Sequence, residues 1–115
     1  MAFLQWLKNA GSQPCVAHVP GAPRTPIIRR RYHFSGLVQG VGFRWEAKIL
    51  AVQLGLTGWA RNEPDGTVTV EIQGGEDYVH EFLRAMGTVP RFGITEIQTE
   101  ELPPSEGETA FGVRY

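Results

Sequence analysis

The segment Gln39-Gly40-Val41-Gly42-Phe43-Arg44 and the single residue Asn62 have the types and spacing to do chemistry together. The segment is a glycine-bearing loop ahead of a helical pattern. A helix leaves its first-turn N–H groups without internal acceptors, and those donors plus the helix dipole make an anion site. Gly40 and Gly42 let the backbone curl and, without side chains, admit an oxyanion closely. Arg44 adds a planar fork of donors matched to phosphate. Asn62 offers both a donor and an acceptor but takes up no proton at neutral pH. It can therefore orient a water and cannot act as a general base. The loop lacks the full dinucleotide fingerprint and has no Gly-Lys-Ser/Thr of a nucleotide-binding loop. On periodicity alone it reads equally well as a tight strand-to-helix turn with a surface arginine.

The flanking periodicity says what positions these residues. Residues 31–38 (RYHFSGLV) predict a strand with Tyr32, Phe34 and Gly36 on one face. Residues 44–54 place Ala47, Leu50, Ala51 and Leu54 on a helical stripe that Gly55 ends. Residues 56–62 predict a second strand, and Glu63-Pro64-Asp65-Gly66 a turn. Residues 67–73 alternate Val68, Val70 and Ile72 with polar residues, as a half-buried third strand does. Residues 76–86 predict a second helix, with Val79, Phe82, Leu83 and Met86 inside and Gly87 beyond its end. A fourth strand is expected around 91–99 and a last one in 110–115. The order β-α-β-β-α-β plus a C-terminal strand is the α+β, ferredoxin-like sandwich, an antiparallel sheet with two helices on one face. In that arrangement strands one and two are parallel with strand three between them. The loop at 39–44 and Asn62 then share one end of the sheet, two strand spacings or about 9–10 Å apart. A small tetrahedral ion and one water fit across that gap.

Composition bounds the alternatives. The chain has 115 residues, 42% hydrophobic and 20% charged, enough for one ordinary domain. No apolar run approaches the roughly 18 residues of a membrane span. A single cysteine, Cys15, excludes an internal disulfide framework, and no metal-ligand spacing is visible. Residues 1–31 carry five basic residues and no acid; residues 32–115 carry six basic and twelve acidic. An acidic body argues against a nucleic-acid surface, and strand three lacks the aromatics that an RNA-recognition sheet needs. Four prolines within residues 9–26 forbid a long helix there. Residues 1–30 are accordingly expected to be a flexible extension and residues 31–115 the folded domain. Met1–Lys8 reads either as a short docking helix or as a mobile terminus. Arg29–Arg31 reads as a solvated charge run before the first strand, with an anion-binding patch as the sharper alternative.

Gly36-Leu37-Val38-Gln39-Gly40-Val41-Gly42-Phe43-Arg44 closely resembles the acylphosphatase signature Gly-x-Val-Gln-Gly-Val-Gly-Phe-Arg. Leu54–Asn62, with Asp65-Gly66-Thr67-Val68 after it, is similar to that family's second block, and Phe111–Tyr115 to its usual ending. The resemblance covers roughly residues 32–115. Ala60 stands for a common valine, and Gly87-Thr88-Val89-Pro90 for an adjacent Gly-Pro. The resemblance implies hydrolysis of small acyl phosphates to a carboxylate and inorganic phosphate, with no metal and no cofactor. It implies that Gln39, Gly40, Val41, Gly42, Phe43 and Arg44 bind the phosphate, and that Arg44 and Asn62 are catalytic. The motifs place no His or paired carboxylate near the loop, so the water's proton is expected to go to a phosphate oxygen. A monomer acting in the cytoplasm is expected. The alternative is a non-catalytic module of the same fold that binds acyl or carbamoyl phosphate. The signature also occurs as an N-terminal module in larger hydrogenase-maturation proteins, and at 115 residues a free-standing enzyme is the expectation.

The remaining candidates read mostly as structural. His18, His33 and His80 are scattered, with His33 turned from the packed face and His80 off the second helix's stripe. Trp59 is expected to be partly buried on strand two. Trp45 either shields the phosphate site or packs beside it. Phe43 reads as a core anchor by its side chain. Strand alternation points Arg61 away from Asn62.

Overall fold

The computed structural model describes residues 25–115. The readings for residues 1–24, including the Met1–Lys8 helix, Cys15 and His18, lie outside the described residues. Seven elements follow one another: β1 (Ile27–Leu37), α1 (Phe43–Gln53), β2 (Thr57–Asn62), β3 (Val68–Gly75), α2 (Glu76–Met86), β4 (Gly93–Leu102) and β5 (Phe111–Arg114). The sheet order is β4-β1-β3-β2-β5. β3 is antiparallel to both β1 and β2, so those two run parallel on either side of it. β5 adds to β2 in parallel, which makes the sheet mixed rather than purely antiparallel.

Alternation builds the core. Tyr32 and Phe34 from β1 and Val68, Val70 and Ile72 from β3 are fully buried on one face. Ala47, Leu50 and Ala51 from α1, and Val79, Phe82, Ala85 and Met86 from α2, complete the same cluster. Phe43, the first residue of α1, packs its ring 4.8 Å from Phe34 and 4.7 Å from Phe92. Each such tilted aromatic pair contributes about 0.5–1.5 kcal/mol beyond its buried area. Leu54, Gly55 and Leu56 close α1. Gly55 takes φ 70°, and the Leu56 N–H reaches back to the Ala51 carbonyl at 2.8 Å. The inner stripe of α2 uses Ala85 where the periodicity put Leu83, which is only half-buried. β4 runs Gly93–Leu102, displaced toward the C-terminus from the expected 91–99.

The largest departure from the sequence reading is at the start of the domain. β1 begins at Ile27, so the expected boundary at residue 31 falls inside a strand. Arg29–Arg31 is not a solvated run. Arg29 is only 6% exposed, and its guanidinium donates to Glu71 (2.9 Å), Gln73 (3.1 Å) and Glu108 (2.8 Å). Arg31 donates to the other oxygen of Glu71 at 2.6 Å. Glu71 sits opposite Arg31 in the β1–β3 register, so the carboxylate and both guanidiniums share the face away from the helices. That face of β3 is buried too: Thr69 and Glu71 are covered, where simple alternation predicted exposure. Gln73 ties this network to the segment after β4 by exchanging hydrogen bonds with the Ser105 backbone.

Candidate active site

Register brings the two candidate segments together. Val68 of β3 pairs with Phe34 of β1 on one side and with Asn62 of β2 on the other. The chain leaving β1 therefore enters its loop at the end of the sheet where Asn62 terminates β2. A cavity of about 400 Å³ opens there, lined by Gly40, Gly42, Phe43, Arg44 and Asn62 with Val38, Trp45, Lys48, Val113 and Tyr115.

The loop is curled and then tied from outside. Gly40 and Gly42 have φ 76° and 77°, left-handed values that cost a residue with a Cβ about 1–2 kcal/mol. Arg91 donates from Nε to the Val41 carbonyl at 2.8 Å and from Nη2 to Glu46 at 3.0 Å. In a trans peptide the carbonyl and the following N–H point oppositely, so the Gly42 N–H faces away from Arg91. The amides of residues 40–45 donate to no protein acceptor among the described residues. Gln39 acts differently from its neighbours. Its carboxamide nitrogen donates to the carbonyls of Glu63 (2.8 Å) and Thr67 (2.9 Å), pinning the loop to the β2–β3 turn. That turn is held by Asp65, which accepts from the Thr67 N–H at 3.0 Å and from its hydroxyl at 2.6 Å. Those two bonds, the hydroxyl first, hold the Asp65 carboxyl below its ordinary pKa. Val41 and Gln39 thus shape the loop, and neither lines the cavity.

Arg44 is half-buried, with Nη1 donating to the Arg114 carbonyl at 2.9 Å and its guanidinium 4.8 Å from the centre of the Tyr115 ring. A guanidinium carries five N–H donors, so this one bond leaves the others available. Among the described residues no carboxylate pairs with Arg44 or with Lys48, and the Asn62 carboxamide has no protein hydrogen-bond partner. Among the described residues no aspartate, glutamate or histidine side chain lines the cavity. The sequence reading did not single out Lys48, Arg91, Val113 or Tyr115. Lys48 was visible in principle, one helical turn after Arg44 on the same face. Arg91 carried no local signal, because its contacts are made across the fold.

The other candidates fall elsewhere. His33 stands on the far face between Thr69 (3.1 Å) and Glu100 (3.0 Å), and His80 lies exposed beside Arg30. Arg61 points to the far face and donates to Glu63 at 3.1 Å, opposite to its neighbour Asn62. Trp59 is nearly buried there, its ring 5.0 Å from the Arg61 guanidinium and 4.4 Å from that of Arg114. Trp45 is 61% exposed and lines the cavity rim.

The family model described as Acylphosphatase matches residues 30–113. The chain belongs to the acylphosphatase family. The acylphosphatase of Trichormus variabilis is 39% identical over 92 residues, covering 80% of this chain and 91% of that protein. The crystal structure of the Bacillus subtilis acylphosphatase superposes with a TM-score of 0.72 at 32% identity, covering 76% of this chain and 99% of that one. Full-length HypF, solved in a phosphate- and nucleotide-bound form, gives a TM-score of 0.73 at 29% identity over 83% of this chain, although the match is 12% of that longer protein. Membership makes the chain an enzyme, a hydrolase acting on small acyl phosphates. Among the described residues no helix is long and apolar enough to cross a membrane, and no group of His, Cys, Asp and Glu could hold a metal ion.

Proposed function

We propose that the acyl phosphate is hydrolysed in the cavity between the 39–44 loop and Asn62. The observation that carries this reading is that Arg44, the unpaired amides of the loop and Asn62 share one cavity. The loop amides and the Arg44 fork take the phosphate oxygens, and the charge that grows on them in the transition state is met by donors already in place. The Asn62 side chain accepts from one water and aims its oxygen at phosphorus, opposite the acyl oxygen. The new P–O bond forms as the P–O bond to the acyl group breaks, and the carboxylate leaves with the bonding pair. The water's proton passes to a non-bridging phosphate oxygen, since among the described residues no histidine, aspartate or glutamate side chain lines the cavity to receive it. A carboxylate is a good leaving group, so positioning and electrostatics suffice without a general acid.

The direct test is phosphate release from benzoyl phosphate by the purified chain with a chelator present. Turnover that persists supports the reading; turnover that needs an added divalent cation contradicts it.

A further inference from the structure

The motifs define how the phosphate is held and leave the acyl side open, and the cavity beyond Arg44 carries a second unpaired cation. Lys48 follows Arg44 by four residues on α1, which places the two side chains on one helix face about 6 Å apart along the axis. It lines the same cavity, is half-buried, and has no carboxylate partner among the described residues. Its ammonium lies 5.9 Å from the centre of the Trp45 ring, a large apolar surface left mostly open to solvent at the cavity rim. The nearest acid on the helix, Glu46, is occupied by Arg91 at 3.0 Å. Among the described residues, two of the side chains that line the cavity are cationic and none is anionic.

An unsubstituted acyl phosphate presents its charge only at the phosphate, where Arg44 and the loop amides already meet it. From this we infer that Trp45 and Lys48 form the acyl subsite and favour acyl phosphates whose acyl chain ends in a second anionic group. The methylenes of such a chain lie on the indole face, and its terminal carboxylate reaches the ammonium beside that ring. Lys48 is here a specificity-determining residue, and the inference rests on hydrolysis taking place in this cavity.

Two substrates of equal chain length isolate the effect: succinyl phosphate, which ends in a carboxylate, and butyryl phosphate, which ends in a methyl. A general attraction of Lys48 for the phosphate acts on both and cancels in their ratio. The wild-type kcat/KM ratio, succinyl over butyryl, is expected to be about three- to fivefold at low salt, the range of a partly exposed ion pair, and to shrink as salt rises. Lys48→Gln is expected to bring the ratio to about one, through KM for succinyl phosphate, while Lys48→Arg keeps it above one. A wild-type ratio of one or less, or a ratio that Lys48→Gln leaves unchanged, overturns the inference alone. Hydrolysis of neither substrate overturns the hydrolytic reading of the cavity and this inference with it.

Discussion

The arginines on the two sides of the sheet are used in opposite ways. On the far face Arg29, Arg31 and Arg61 each meet a carboxylate, at 2.8, 2.6 and 3.1 Å. At the end of the sheet, among the described residues, Arg44 meets only a backbone carbonyl and a ring. A guanidinium whose charge is matched within the fold stabilises the fold. One held in place by neutral groups leaves its charge unmatched by any carboxylate of the described residues. Both kinds occur in short stretches of basic and aromatic residues, and what separates them is which strand face, and which partner strand, each one meets.

Substitutions can break this contrast. The largest effect is expected at Arg44: Arg44→Ala should lower kcat/KM for an acyl phosphate by about 10²–10³-fold, as removal of a transition-state donor does, with the melting temperature little changed. An activity loss matched by unfolding would put Arg44 with the structural arginines. Glu71→Ala should do the reverse. It removes one of the two carboxylates that meet the buried Arg29, which keeps Glu108 at 2.8 Å, and should cost about 1.5–3 kcal/mol in denaturant unfolding, while the folded fraction keeps its kcat.

The same network sets an acid limit. Burial pushes the Glu71 carboxyl up, but hydrogen bonds from Arg31 and Arg29 outweigh it and leave its pKa lowered. The Glu108 carboxyl is lowered by its hydrogen bond from Arg29, against burial. With folded values below unfolded ones, the stabilisation is complete above the ordinary carboxylate pKa of about 4.3 and fades as pH falls through the folded values. Melting temperature followed from pH 6 downward should drop, and Glu71→Gln should flatten that drop. The smallest effect is expected at Arg61, adjacent in sequence to Asn62 and on the other face. Arg61→Gln should change stability by about 0.2–1 kcal/mol and leave kcat/KM within about twofold.

The sequence made the core and the site loop legible for different reasons. Val68, Val70 and Ile72 alternate over a full strand, and Ala47, Leu50, Ala51 and Leu54 keep a helical period, so local pattern alone orders those elements. The likeness of residues 36–44 to a known signature named Arg44 directly, and the parallel relation of β1 and β2 put it at the same end as Asn62. The start of β1 was illegible because Arg29 and Arg31 pair with β3 and β4, far away in sequence, and their charges are met by Glu71 and Glu108, from β3 and from beyond β4. Charge in a one-dimensional reading defaults to solvent, and burial by pairing is a property of the tertiary fold. The roles of Gln39 and Arg91 were hidden for a related reason. Gln39 sits in the signature loop, yet its side chain braces the turn after β2, and Arg91 braces the loop from before β4.

The proposed hydrolysis requires that Asn62 act on water rather than on phosphate. Steady-state hydrolysis of benzoyl phosphate and equilibrium binding of inorganic phosphate, measured on wild type and on Asn62→Ala, separate the two. The expected result is a fall in kcat of about 10²-fold or more with phosphate affinity retained. Wild-type turnover in Asn62→Ala would contradict the water-positioning role, and a parallel loss of phosphate binding would move Asn62 to the anion site instead.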